Sequence, residues 1–213
     1  MSLTLLSLAA LAGVGLMVAP RMPSGPGAPA SALRPTSGPV TEPPSEETPS
    51  FDAAMKELDL VRPPGRKTAE DFTVPQLSGG TFRLSEHRGK TVLVNFWATW
   101  CPPCLAEMPA MERLWRQHKD AGLVIVAVSV DVDPTIVPPF IKERGLTFPV
   151  VLDPTMALAG TYGARALPAS FVIDRRGRLA AFALGPRAWD TRASHALVEA
   201  LGREALGQPA GSR

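Results

Sequence analysis

The stretch Thr91 to Pro109, TVLVNFWATWCPPCLAEMP, constrains the fold more than any other part of the 213 residues. Thr91 to Trp97 is a run of β-branched, apolar and aromatic residues, the pattern of a strand buried on both faces. From Pro102 onward the apolar residues Leu105, Met108, Met111 and Trp115 recur at helical spacing, with Glu107, Arg116 and Lys119 expected on other faces. Between strand and helix stand Cys101-Pro102-Pro103-Cys104, which hold both cysteines of the chain. A helix start presents unpaired N–H groups and positive partial charge, which favour a thiolate at Cys101. Pro102 and Pro103 suit a first turn, where no N–H is needed. The pattern predicts a low-pKa, accessible thiol with a second thiol close enough to form a disulfide with it. A structural zinc site would need four ligands, and no second Cys/His cluster accompanies this pair.

A net charge of +2, with no basic patch interleaved with aromatics, gives no argument for nucleic acid or for strongly acidic partners. Two cysteines exclude a disulfide-scaffolded domain but do not fix the compartment. Residues 1–19 are expected to be an N-terminal membrane anchor or signal segment. Leu3 to Ala19 is apolar apart from Thr4 and Ser7 and carries no charge. An uncleaved anchor is the first reading, a cleaved signal the second and a buried soluble helix the third. Residues 20–66 are dense in Pro, Gly, Ser and Ala and read as a disordered linker, within which Phe51 to Leu60 is weakly amphipathic. The folded domain is expected over 67–206, and residues 207–213 form a disordered tail.

Within the domain, DFTVPQL and TFRL flank Ser78-Gly79-Gly80 and predict a hairpin. Leu123 to Val130 is a second buried strand, so strand, helix and strand form a right-handed parallel βαβ unit. Asp133-Pro134 opens a helix to about Arg144, distorted by Pro138-Pro139. Asp153 or Thr155 caps a short helix to about Tyr162. Ala169 to Asp174 and Arg178 to Leu184 predict an antiparallel hairpin around Arg175-Arg176-Gly177, and Asp190 or Thr191 caps a last helix to about Leu206. His87, His118 and His195 are scattered and expected at the surface.

WCPPC at a strand-to-helix junction looks like the redox site of a thioredoxin-like protein. NFWATWCPPCLAEMP is similar to the TlpA/ResA branch, the membrane-associated bacterial thiol-disulfide oxidoreductases. LTFPVVLD (Leu146 to Asp153), YGARALPASFVID (Tyr162 to Asp174) and RRGRL (Arg175 to Leu179) extend the resemblance from about Asp71 to about Leu206. It implies an α/β thioredoxin-like fold: a central mixed sheet flanked by helices, with an N-terminal β-hairpin extension. Cys101 would attack, and Cys104 would resolve the mixed disulfide. Pro168 matches the family's cis-proline opposite the cysteines, with Leu167 offering backbone groups to substrate. Trp100, Pro102, Pro103, Leu167 and Pro168 are the expected substrate contacts. Asn95 stands where thioredoxin has a buried aspartate, and it cannot accept a proton from Cys104. Glu107, three residues past Cys104 and on the same helix face, is the expected substitute.

The resemblance implies a membrane-tethered extracytoplasmic oxidoreductase, acting as a reductase of specific protein partners such as apocytochrome c or copper-site cysteines. A membrane-embedded thiol reductase would be its electron donor. No cofactor beyond the cysteine pair, no metal and no nucleic acid is implied, and a monomer is expected. Two alternatives are a thiol-dependent peroxidase and a copper-binding assembly factor. Peroxiredoxins carry Pro-xxx-Thr-xx-Cys, where this chain has Val94 and Ala98. The copper factors carry CxxxC and a distal His near the cis-proline loop, and this chain has neither.

Overall fold

The computed structural model describes residues 48–65 and 67–204. The expected anchor at 1–19, most of the linker and the tail at 207–213 lie outside them. Among the described residues no helix is long and apolar enough to cross a membrane.

The β3 strand, Thr91–Trp97, lies at the centre, and every one of its residues is buried. It pairs in parallel with β4, Leu123–Ser129, in the register Thr91 opposite Leu123 and Trp97 opposite Ser129. On its other side it pairs antiparallel with β6, Ala169–Ile173, which sets Asn95 opposite Ser170. The short β5, Val150–Leu152, adds in parallel to β4, and β7, Leu179–Leu184, adds antiparallel to β6. The sheet order is therefore β5-β4-β3-β6-β7, and the predicted mixed sheet is what forms. Strands whose two faces are both covered must be apolar throughout, which is why the runs at 91–97 and 123–129 show no alternation. The predicted hairpin is a separate two-stranded sheet of β1, Thr73–Pro75, and β2, Thr81–Arg83.

Among the described residues five α-helices complete the fold: α1 Phe51–Glu57, α2 Pro102–His118, α3 Val137–Glu143, α4 Ala157–Tyr162 and α5 Arg192–Arg203. Helix α5 packs against α1, α2 and β3. Its N-cap is Thr191, whose hydroxyl accepts from Ser194 N–H. Pro138-Pro139 disturb the helix expected from Asp133. Pro134–Ile136 is a 3-10 turn, and α-helical geometry starts only at Val137. Asp153 does serve α4, its carboxylate accepting from Ala159 N–H at 2.8 Å, although Met156 occupies the cap position in left-handed backbone (φ 55°).

Three expectations are corrected. Residues 51–61, placed in the linker, belong to the folded unit. Ser50 caps α1, whose Ala54 and Met55 are buried, and Val61 exchanges backbone hydrogen bonds with Phe182 of β7. The few apolar residues of this stretch suffice because they fall on one face against α5. His118, expected at the surface, is buried. His118 Nε2 lies 2.8 Å from His195 Nδ1, and His195 in turn reaches Asp190 at 3.1 Å. His87 is half-buried and stacks on Phe82.

Candidate active site

The cysteines sit where β3 hands over to α2. The turn between them is fixed from β4. Thr99 donates its N–H to both carboxylate oxygens of the buried Asp131 at 3.1 Å and its hydroxyl to one of them at 2.7 Å. Ser129 Oγ donates to the same carboxylate at 2.7 Å. Cys101 is the N-cap residue, its backbone extended (φ −101°, ψ 96°) and its carbonyl accepting from Leu105 N–H. It forms a disulfide with Cys104 one turn inside the helix. The two sulfurs have different surroundings: Cys104 is fully buried, whereas Cys101, 5% exposed, lines an open groove. A thiol at the cap of the helix is the one that the helix N-terminus favours as thiolate.

That groove, about 450 Å³ in volume, brings Cys101 together with Trp100, Pro102, Pro103 and Leu167 of the expected substrate contacts, and adds Met156 and Arg165. Trp100 is 66% exposed and stands free beside the disulfide. The Leu167-Pro168 bond is cis. Pro168 itself is buried, behind the groove rather than in its wall. Its carbonyl accepts from Gly185 N–H at 2.7 Å, a reach made by Gly185 in left-handed backbone (φ 88°).

Behind the disulfide lies Glu107, 4% exposed. Burial pushes its carboxyl up to about 7 from 4.5, against the opposing pull of its hydrogen-bond donors, Arg187 N–H first. The donors are arranged unequally on the two oxygens. Oε2 accepts from Arg187 N–H at 2.9 Å and from the Trp189 indole N–H at 3.2 Å. Oε1 accepts only from Asn95 Nδ2, at 2.8 Å. Both groups on Oε2 are donors and nothing else. Oε2 is thus filled, and Oε1 keeps the free lone pair on which a proton can enter. Asn95 Nδ2 also donates to Ser170 Oγ at 3.0 Å, tying this pocket to the strand that follows the cis-proline. Its own Oδ1 is buried and has no hydrogen-bond partner among the described residues.

A carboxyl poised near neutrality, one turn after a buried thiol on the same helix, is suited to take the proton that Cys104 must lose before it can attack. Asn95, Glu107 and the cysteines are legible from the local sequence. Trp189 and Arg187 are not: they arrive from the loop before α5, and no spacing rule links them to Glu107. Asp131, Met156 and Arg165 likewise carry no signal before the fold is known. Among the described residues no group of three or more His, Cys, Asp or Glu is placed to hold a metal ion.

Residues 66–182 match the model of the AhpC/TSA family. The chain belongs to the AhpC/TSA family. Within it the TlpA/ResA-type resemblance carried by WCPPC holds. The AhpC/TSA chain is 42% identical over 113 residues to a protein named Thiol-disulfide oxidoreductase ResA from Bacillus anthracis, covering 53% of this chain and 65% of that one. The protein of the same name from Geobacillus kaustophilus is 43% identical over 112 residues, covering 53% and 64%. The chain spans less than two thirds of the length of these relatives. A crystal structure of a thioredoxin-family thiol:disulfide interchange protein from Chlorobium tepidum superposes with a TM-score of 0.58 at 30% identity, over 65% of this chain and 99% of that one. StoA from Bacillus subtilis superposes with a TM-score of 0.51 at 28% identity, over 56% and 90%. The expected thioredoxin-like fold is the fold of these relatives.

Proposed function

We propose that this AhpC/TSA-family chain is a thiol-disulfide oxidoreductase. It works outside the cytoplasm on a membrane tether and reduces disulfides in particular protein partners, such as apocytochrome c or copper-site cysteines. The observation that carries the reading is the disulfide itself: Cys101 on the wall of an open groove, Cys104 buried behind it, and a carboxyl near neutrality one turn further on. The names of the ResA relatives support it.

In the reduced protein the Cys101 thiolate attacks one sulfur of the partner's disulfide, and the partner's other sulfur leaves as thiolate and takes up a proton. Cys104 then gives its proton to Glu107 and attacks the Cys101 sulfur. The second partner sulfur departs and is protonated, and the Cys101–Cys104 disulfide remains. Two electrons and two protons have passed to the partner. A thiol reductase in the membrane returns two electrons to close the cycle. The protein acts as a monomer, and no cofactor beyond the cysteine pair is needed. Cys101, Cys104 and Glu107 do the chemistry. Trp100, Pro102, Pro103, Leu167 and Pro168 shape what can approach.

The test is a Cys104→Ser variant of the full chain expressed in its own cell. Mixed disulfides through Cys101 with a small set of exported proteins are the expected result. Rapid turnover of hydrogen peroxide by the wild type, with no reduction of any peptide disulfide, would place the chain among the thiol peroxidases instead.

A further inference from the structure

The disulfide end of the sheet is unusually apolar at its surface. Among the described residues six large apolar side chains are exposed: Val61, Trp100, Val132, Ile136, Met156 and Leu184. Strands β3, β4 and β5 are parallel, so their C-terminal ends share one edge. Trp100, Val132 and Ile136, and Met156 stand in the segments that leave those three ends. Strand β7 is antiparallel to β6, which is antiparallel to β3, so Leu184 at the end of β7 reaches the same edge. All but Val61 therefore lie at the edge of the sheet that carries the disulfide, and Trp100 and Met156 line the groove beside it. An exposed apolar cluster of this kind marks a protein-binding surface.

Into this surface the chain places one cation. Arg165 is exposed and, among the described residues, is the only charged one lining the groove beside Cys101. Among the described residues no carboxylate is within ion-pairing distance of it. Asp133, the acid on the loop after β4, is occupied by its own turn, accepting from Thr135 N–H at 3.0 Å and from the Thr135 hydroxyl. Arg187, in the loop that follows β7, is paired with Asp59 at 3.0 Å. A cation with no internal partner, standing in an apolar groove next to the reactive sulfur, is an unmet half of an ion pair.

We infer that Arg165 selects the partner: the groove takes an extended, apolar polypeptide segment whose disulfide cysteine has an acidic side chain beside it. This rests on the oxidoreductase reading and adds to it the chemistry that distinguishes one disulfide from another. The apolar rim holds the segment, and the guanidinium pairs with its carboxylate as the sulfurs meet. A basic neighbour on the partner would be repelled at the same position, so Arg165 both attracts and rejects.

The experiment uses the full chain, reduced and freed of reductant. It is mixed with three disulfide-bonded peptides of identical apolar sequence that carry Asp, Asn or Lys next to the cysteine. Second-order rate constants are read by stopped flow, from tryptophan fluorescence. The wild type is expected to prefer Asp over Lys by roughly tenfold at low salt, the swing between one attractive and one repulsive surface pair. The preference shrinks as salt rises to about 0.5 M. Arg165→Glu reverses the order, and Arg165→Gln abolishes the preference. Equal rates for all three peptides with the wild type would overturn the selectivity and leave the oxidoreductase reading intact. A uniform loss across the three peptides in both variants would also overturn it, showing that Arg165 serves the Cys101 thiolate and not the partner. Failure of the wild type to react with any peptide would remove the oxidoreductase reading, and this inference with it.

Discussion

Helix α2 carries two carboxylates that are almost equally hidden, Glu107 at 4% exposure and Glu112 at 7%. Burial works to raise the pKa of both. At Glu107 it prevails, outweighing a backbone N–H, an amide, an indole and the more distant Arg187 charge. At Glu112 it is overcome. The hydroxyl and N–H of Thr147 and the guanidinium of Arg116 together hold this carboxyl below its ordinary value. One helix thus holds a carboxyl ready to exchange protons near pH 7 and another locked in its charged form. What separates them is the balance of burial against donors: burial outweighs them at Glu107, and at Glu112 the two Thr147 donors, with Arg116 added, outweigh burial. Glu112 joins α2 to the loop ahead of β5, and Glu107 serves the disulfide.

Replacing each acid by its amide breaks this contrast most directly. Glu107→Gln is expected to slow the step that needs the Cys104 thiolate by roughly 10²-fold, the low end for a general base, and to change the first attack by Cys101 little. Stopped-flow reduction of a model disulfide from about pH 5 to 9 separates the two steps. Superimposable pH profiles would return Glu107 to a structural role. The same variant has a stability signature. Since the folded pKa of Glu107 is raised, the folded protein keeps a proton that the unfolded chain releases between 4.5 and about 7. Wild-type stability therefore falls as pH rises through that window, by on the order of 3 kcal/mol. Oxidised Glu107→Gln should lack this fall and melt above the wild type at pH 8, with the gap closing by about pH 4. A gap that is the same at both pH values would contradict the assignment.

Glu112→Gln should do the reverse. Its depressed pKa contributes stability above the ordinary value of 4.5, and that stability is lost as pH falls through the lowered folded value. The variant is expected to lose about 2 kcal/mol at pH 7 in denaturant melts, to converge with the wild type in acid, and to keep both redox rates within about twofold. A strong slowing of the Cys104 step would erase the distinction between the two acids. A smaller effect sharpens it. Trp189→Phe removes one neutral donor from Glu107 Oε2, which raises the carboxyl further. The pH midpoint of the Cys104 step should climb by roughly half a unit to one unit, the value of a single net hydrogen bond. An unmoved midpoint would show that the indole only fills space.

The contrast also shows how far the sequence could be read. The buried strands at 91–97 and 123–129 and the cysteine turn were legible because local pattern determines them: continuous apolar runs, and cysteines at a helix start. Glu107 was reachable by helical spacing from Cys104 together with the family resemblance. Its pKa was not, because that depends on Trp189 and Arg187, which the fold delivers from far along the chain. His118 read as a surface position because its partner, His195, belongs to another element, and for the same reason nothing local marked Glu112, whose partner is Thr147. Strand β5 was missed at three residues, too short for any period to show. Residues 51–61 looked like linker because Pro-rich composition on both sides hides a small apolar face that has meaning only against α5.

Arg187 gives that last region a consequence for anyone treating the domain as a transferable part. Its N–H holds Glu107, while its guanidinium grips the Asp59 carbonyl at 2.9 Å and the Asp59 carboxylate at 3.0 Å, just beyond α1. A cut at residue 67, where sequence alone would set the boundary, keeps both cysteines and every strand, yet frees the loop that orients the acid. The smallest cassette that carries the redox chemistry intact starts at Ser50. The stretch that looks like packaging is the outer hinge of the proton-handling pocket, and a fusion or graft made inside it would retune the active site without altering a residue in it.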